Sequence, residues 1–199
     1  LDSFGHGAVS MPTPPFFAAG SPPLFVHTVT FEAPTQWSVS KTTRLDWMDS
    51  NAWEPATAMG QQRQLHTATA IGNGPRDNRT EVLVCGGATG SITVPAPMAS
   101  AELFSPWTRT TAPLPNMAIP RASHRTVRLD NGLLLITGGV TTGGIVTATC
   151  EFFDPATGAF TTAPTMTAPR AGHALTLLDD GRVLVSGGVA DWQNAALQL

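Results

Sequence analysis

The sequence has no tyrosine, only two cysteines and few charged side chains. Charged residues make up 13% of its 199 residues and the formal net charge is −3, so no basic surface for nucleic acid is expected. No apolar run reaches the roughly eighteen residues of a spanning helix, so no membrane span is expected. The 19 glycines and 17 prolines favour strands joined by tight turns, and the low charge is typical of a secreted or cell-surface protein.

Residues 169–188 predict a single β-hairpin. Apolar runs at 174–178 and 183–185 flank Asp180-Gly181, a pair that supplies the positive φ angles of a tight two-residue turn. Gly187-Gly188 then ends the second strand, at a point where a side chain would obstruct the close approach of another backbone.

The pattern of this hairpin occurs twice more upstream. The step from His124 to Gly138 is fourteen positions, as is the step from His173 to Gly187. The earliest copy takes twenty positions, and its six additional residues fit the polar, turn-rich stretch 73–78. Each copy has an arginine, a histidine three positions later and a closing glycine pair: Arg63, His66, Gly86 and Gly87; Arg121, His124, Gly138 and Gly139; Arg170, His173, Gly187 and Gly188.

A second pair of strands is predicted after each of the first two glycine pairs. Glu102 to Met117 and Glu151 to Met166 both span fifteen positions. Four strands therefore recur with a period of forty-nine residues, measured from His124 to His173. A four-stranded unit of about 50 residues is typical of a propeller blade.

The Arg-x-x-His, Asp-Gly-Arg-Val-Leu-Val and Gly-Gly motifs resemble those of the kelch repeat family, and the galactose oxidase type more than the animal adaptor type. The resemblance covers residues 45–199. It implies an all-β, kelch-type β-propeller, of which this chain carries about three to four four-stranded blades. Family members include enzymes, glycan binders and protein adaptors, so the resemblance does not by itself fix a function.

The repeat divides the chain into four parts. Residues 1–59 are expected to form a degenerate N-terminal blade or outer strands, 60–117 and 118–166 a kelch blade each, and 167–199 the opening hairpin of a further blade. Propellers close with roughly four to eight blades, and the kelch resemblance implies about six or seven. The chain is therefore expected to be part of a larger propeller, completed by other copies or by further sequence. A compact four-bladed ring is the alternative.

The repeated arginines are expected to be structural. Arg63, Arg121 and Arg170 would tie blades together through hydrogen bonds to backbone carbonyls or to two glutamates, Glu102 and Glu151.

The repeated histidines allow a transition-metal interpretation, because imidazole is a common ligand. His66, His124 and His173 nevertheless occupy one equivalent position in successive repeats, which favours capped histidines at the starts of strands. No metal site is therefore predicted.

The two cysteines, Cys85 and Cys150, are expected in neighbouring blades. A disulfide between them would have to cross the blade interface at a short Cα separation. Two buried, small apolar side chains are the favoured interpretation.

The galactose oxidase resemblance also implies a copper-radical oxidase, whose chemistry depends on a cross-linked tyrosine and on a second tyrosine at the metal. With no tyrosine in the chain, that active site cannot be built from these residues. No nucleophile elbow, phosphate loop, zinc-cysteine pair or close carboxylate pair occurs in the sequence either. No catalytic residue and no cofactor are predicted.

Two tryptophans are the candidate binding residues. Trp107 and Trp192 fall where blade loops are expected, and an exposed indole can stack on a sugar or anchor a protein partner. The sequence thus predicts a non-catalytic kelch module that binds protein or carbohydrate, or that acts as a scaffold, at an extracellular or cell-surface location. The alternative is the propeller portion of a galactose oxidase-like or other carbohydrate-active enzyme whose catalytic residues lie outside this chain.

Overall fold

The fold is seen in a computed structural model, which describes residues 25–26, 46–49, 52–55, 58–72, 80–91 and 95–193. These residues form antiparallel strands and a short 3₁₀ turn at Thr142–Gly144, so the predicted all-β class is confirmed. The strands are β1 (Phe25–Val26), β2 (Asp46–Asp49), β3 (Ala52–Pro55), β4 (Thr67–Ala70), β5 (Val82–Cys85), β6 (Ala88–Gly90), β7 (Pro95–Pro97), β8 (Ala101–Ser105), β9 (Thr110–Leu114), β10 (Arg125–Arg128), β11 (Leu134–Thr137), β12 (Cys150–Asp154), β13 (Ala159–Ala163), β14 (Ala174–Leu177) and β15 (Val183–Ser186).

The chain divides into two compact units, Leu1–Gln62 and Arg63–Leu199. In the first unit, β1, β2 and β3 form an antiparallel sheet in that order. These strands fall within the part predicted to hold outer strands or a degenerate blade. The loop insertion predicted at 73–78 lies outside the described residues.

The second unit contains two four-stranded antiparallel sheets with the same strand order. The first sheet runs β4-β5-β8-β9 and the second runs β10-β11-β12-β13. A small ribbon of β6 and β7 is inserted after the second strand of the first sheet, and β14 pairs with β15 as a hairpin. Each sheet thus pairs its strands in chain order, as a propeller blade does.

The first strands of these sheets, β4, β10 and β14, are neighbours. At their start, Ser123 N donates to Leu65 O at 2.9 Å and Gly172 N donates to Ser123 O at 2.8 Å. At the far end, a Cβ on Gly181 would lie 3.8 Å from Asp130 Oδ2. The three strands therefore run side by side in the same direction.

Apolar side chains from successive sheets form the core of the second unit. Leu83, Leu134 and Ile136, on the second strands, are fully buried, and Phe153 is 1% exposed. The rings of Phe153 and Phe160 face each other across β12 and β13 with centroids 4.8 Å apart. Removing this apolar surface from water is the main contribution to stability, at about 25 cal/mol per Å².

The hairpin turns differ from the predicted two-residue form. Leu178 N donates to Arg182 O at 2.8 Å and Gly181 N donates to Leu178 O at 2.9 Å, which encloses a three-residue loop. Gly181 has a φ of +79°, whereas Asp180 is not among the residues with positive φ. The prediction of a positive φ pair at Asp180-Gly181 is wrong, because a three-residue loop needs only one left-handed residue.

The predicted close backbone approach occurs at all three glycine pairs. A Cβ on Gly86 would lie 2.6 Å from Arg121 O, and a Cβ on Gly138 would lie 2.4 Å from Arg170 O. No side chain fits at either position. In the third pair nothing lies within 4 Å of Gly187, but a Cβ on Gly188 would lie 2.8 Å from Ala171 O.

Candidate functional site

A buried ion pair lies inside each four-stranded sheet. Arg121 is 0% exposed and donates to Gly138 O at 2.8 Å, to Thr149 O at 2.9 Å and to Glu151 Oε1 at 2.8 Å. The carboxylate and two carbonyl groups together satisfy a charge that would otherwise be costly to bury. Arg63 makes the corresponding bonds to Gly86 O (2.9 Å), Ser100 O (3.0 Å) and Glu102 Oε1 (2.5 Å).

These arginine side chains bind within their own sheet. Arg121 precedes β10, and its partners lie in or beside β11 and β12. Glu151 also accepts from Ala118 N at 2.7 Å, which ties the segment before the sheet to its third strand. The predicted contacts with the two glutamates are confirmed, but the prediction that the guanidinium groups tie successive blades together is wrong.

The backbone carbonyl groups of Arg121 and Arg170 make the contact between sheets. Gly87 N donates to Arg121 O at 2.9 Å, and Gly139 N donates to Arg170 O at 2.9 Å. Arg121 and Arg170 therefore each direct the side chain into their own sheet and the carbonyl oxygen to the preceding one.

The histidines before β10 and β14 also reach the preceding sheet. His124 Nε2 lies 2.9 Å from Thr67 Oγ1 and 3.7 Å from Cys85 Sγ. His173 Nε2 lies 2.8 Å from Thr137 Oγ1. Both rings are buried and hydrogen-bonded to protein groups, a geometry that suits a structural role.

Burial controls the charge state of this region. Desolvation, with a contribution from nearby arginines, lowers the pKa of His124 to about 3 and that of His173 to about 4. Burial also raises the pKa of the Cys85 thiol. Both cysteines are free and buried, and a protonated thiol is a poor nucleophile.

We expect these histidines to make the chain sensitive to acid. The unfolded chain, with histidine pKa values of about 6.5, binds protons that the folded chain excludes, so stability is fully present above about pH 6.5 and is lost as the pH falls. At about pH 5, the two histidines together should cost about 4 kcal/mol relative to pH 7.5. Urea unfolding at several pH values measures the loss.

A His173→Gln variant is the control, because it removes one of the two histidines whose protonation the folded chain opposes. Its stability should fall about half as steeply between pH 6.5 and pH 5. An identical slope in the variant and the parent chain would contradict this origin of the acid sensitivity.

A group of loops meets at the end of the second unit where the first strands begin. This loop face comprises residues 88–91, 95–97, 141–145 and 191–193. β7 lies beside Thr142–Gly144, and a Cβ on Gly144 would be 3.4 Å from Gln193 Nε2. These segments contain one charged residue, Asp191.

The loop face presents two large apolar side chains. Ile145 is 65% exposed, and Trp192 is half-buried. Ile145 was not among the candidate binding residues that the sequence indicated, which were Trp107 and Trp192. An aliphatic residue directly after a Thr-Thr-Gly-Gly stretch was the available signal, since such a short loop cannot bury it.

Trp107 lies at the opposite end of the sheets. It follows β8 and is 61% exposed. Ala70, at the end of β4, pairs with Val82, and Val82 pairs with Phe104 near the end of β8. The β8–β9 turn that carries Trp107 therefore lies at the end of the sheet where β4 finishes. Trp192 follows β15, whose last residue pairs with the first residue of β14. The two tryptophans are therefore not part of one site.

The described residues do not fit a redox copper centre. Among the residues that the structure covers, no group of three or more His, Cys, Asp or Glu side chains is placed to hold a metal ion. The whole sequence also lacks the tyrosines that the resemblance would require. Over the same residues, no helix has the length and apolar character needed to cross a membrane.

The fold is that of β-propeller-like proteins. No protein family and no curated protein sequence matches the chain. Among solved structures it is similar to a fungal alcohol oxidase of the AA5 family in complex with copper, with a TM-score of 0.60 and 20% identity over 74% of this chain. It is also similar to YjhT, with a TM-score of 0.57 and 19% identity over 68% of this chain.

These similarities support a kelch or galactose oxidase-type all-β fold and, at such identities, the fold alone. The aligned part amounts to 33% of the alcohol oxidase and 49% of YjhT, so the chain spans between a third and a half of their lengths.

Proposed function

We propose that the chain is a non-catalytic kelch-type module that binds a protein or glycan ligand through its loop face, as a binding or scaffolding part of an extracellular assembly. Two observations carry this proposal. The polar groups inside the sheets serve structural contacts, and the loop face exposes Ile145 and leaves Trp192 half-buried. Loops held on rigid sheets are common binding surfaces.

The chemistry of the loop face favours a neutral ligand. Asp191 is its one charged side chain, and its carboxylate accepts from Gln193 N at 3.0 Å. An exposed aliphatic side chain favours a protein surface, whereas the indole also suits the face of a sugar ring. The extracellular location rests on the low charge of the sequence.

The tryptophans provide the test, because the five indole N–H groups give separate signals in a two-dimensional NMR spectrum. Titration with a panel of neutral oligosaccharides and of purified extracellular protein domains should perturb the Trp192 signal and leave the Trp107 signal unchanged. Ile145→Asp should weaken any binding by tenfold or more, about 1.4 kcal/mol, because it places a charge in the apolar contact. Trp107→Ala is the matched control.

Two results would overturn the proposal. One is binding that perturbs Trp107 and is insensitive to Ile145→Asp. The other is turnover of an alcohol or sugar by this chain with a bound redox metal.

A further inference from the structure

The turn between β10 and β11 is a short loop at the tip of a hairpin. Leu129 N donates to Leu133 O at 2.8 Å, and Gly132 N donates to Leu129 O at 3.0 Å. Asn131 is exposed, and nothing lies within 4 Å of a Cβ added to Gly132. The Asn131-Gly132 pair is therefore uncrowded.

The side chain of Asn131 folds back onto the backbone that follows it. Its Oδ1 accepts a hydrogen bond from Leu133 N at 3.1 Å, as asparagine side chains in turns commonly do. The ring that this bond closes contains both the side-chain carbonyl carbon, Cγ, and the backbone nitrogen of Gly132. The bond thus holds an electrophilic carbon close to a nitrogen that can attack it. The Leu133 N–H also donates to the oxygen on which negative charge would develop during the attack.

We propose that Asn131 is a site of spontaneous modification, at which the folded chain converts to aspartate and isoaspartate through a cyclic imide. Gly132 N loses its proton to hydroxide and bonds to Asn131 Cγ, while the bond from Cγ to Nδ2 breaks and ammonia leaves with a proton taken from water. Water then opens the imide. Cleavage between Cγ and Gly132 N gives aspartate, whereas cleavage between Asn131 C and Gly132 N gives isoaspartate. The sum is hydrolysis of the side-chain amide.

The next hairpin already has an aspartate at the equivalent position. Asp180 Oδ1 accepts from Arg182 N at 3.1 Å, which is the distance between Asn131 Oδ1 and Leu133 N. The turn bonds correspond as well, since Leu178 N donates to Arg182 O at 2.8 Å. The aspartate product therefore fits this turn with the same backbone.

Isoaspartate does not fit the turn, because it moves one side-chain carbon into the main chain. The longer loop breaks the bond from Leu129 N to Leu133 O, and the register of a hairpin depends on its turn. Both products also place a carboxylate beside Asp130, whose Oδ2 lies 3.8 Å from a Cβ built on Gly181 in the neighbouring turn. Modification therefore adds negative charge where two hairpins meet, and the isoaspartate form loosens the start of β11.

The test is to incubate the folded full chain at mildly alkaline pH and to follow each asparagine by peptide mapping with mass spectrometry. Asn131 should convert about tenfold faster than Asn116, or more. Asn116 is the matched control, because it is exposed but precedes Met117, whose side chain crowds the nitrogen that would attack. Asn73-Gly74, the other such pair in the sequence, lies outside the described residues and is followed separately.

A synthetic peptide that copies residues 126–137 gives the rate without the fold, and the folded chain should convert within about tenfold of it. Chains that carry isoaspartate should show faster amide hydrogen exchange across residues 129–137, whereas Asn131→Asp should exchange as the parent does. The proposal is overturned if Asn131 keeps its amide in the folded chain while the peptide converts, or if Asn116 converts equally fast. An Asn131→Asp hairpin that exchanges as fast as the isoaspartate form would overturn the account of the two products.

Discussion

Replacing Arg121 by methionine is expected to destabilise the chain by about 3–5 kcal/mol. Glu151 would remain buried without its counter-charge, and the carbonyl groups of Gly138 and Thr149 would each lose a donor. Chemical denaturation followed by tryptophan fluorescence measures the change. The loss should appear as a lower midpoint rather than a changed slope.

Arg170→Met is the matched control for this experiment. The residue occupies the same position in the next hairpin, but its guanidinium makes one described bond, to Gly187 O, in an exposed setting. We expect a cost of about 1 kcal/mol or less. Equal losses for the two variants would mean that the buried ion pair is not what makes Arg121 important.

A double variant separates the cost of the unpaired charge from the cost of the other lost hydrogen bonds. Adding Glu151→Leu to Arg121→Met removes the uncompensated charge, so part of the lost stability should return. Recovery will be incomplete, because Ala118 N also loses its acceptor. A double variant less stable than Arg121→Met would contradict the argument.

Replacing Gly138 by alanine is the second substitution with a large expected effect. The new Cβ would lie 2.4 Å from Arg170 O, and the φ of +59° disfavours any side chain. The left-handed conformation costs about 1–2 kcal/mol, and the forced separation of the backbones adds about 1–3 kcal/mol. Thermal unfolding should show the combined loss.

Gly187→Ala distinguishes these two contributions. Its φ of +67° is similar, but nothing lies within 4 Å of the added Cβ. This variant should show the backbone cost alone. If both alanine variants lose the same stability, the contact with Arg170 O does not constrain Gly138.

The repeated features were predictable because they recur at fixed spacing. The glycine pairs and the contacts of Arg63 and Arg121 with their glutamates follow from residues that keep the same relative positions in each copy. The β-class follows from short apolar runs between turn residues. Such a pattern reports which residues meet, because equivalent positions have equivalent neighbours.

The direction of a side chain was not predictable from that spacing. The side chain of Arg121 and its own carbonyl bond in different sheets, and sequence separation does not distinguish the two. The length of the loop that ends at Gly181 was not predictable either, since an Asp-Gly pair fits loops of two or of three residues. The opposite placement of Trp107 and Trp192 depends on strand direction, which becomes clear only when the sheets are assembled.

Arg121 bonds through its side chain within its own sheet and through its carbonyl oxygen to the preceding one, and this affects how the second unit unfolds. When the sheet that begins with β10 unravels, the preceding sheet loses the acceptor of its Gly87 amide and the partner of Thr67 in the same event. Neighbouring units that share groups in this way behave as a cooperative array, in which each failure lowers the barrier to the next. Loss of the contacts between two sheets therefore destabilises the neighbouring sheets as well, although each ion pair lies within a single sheet.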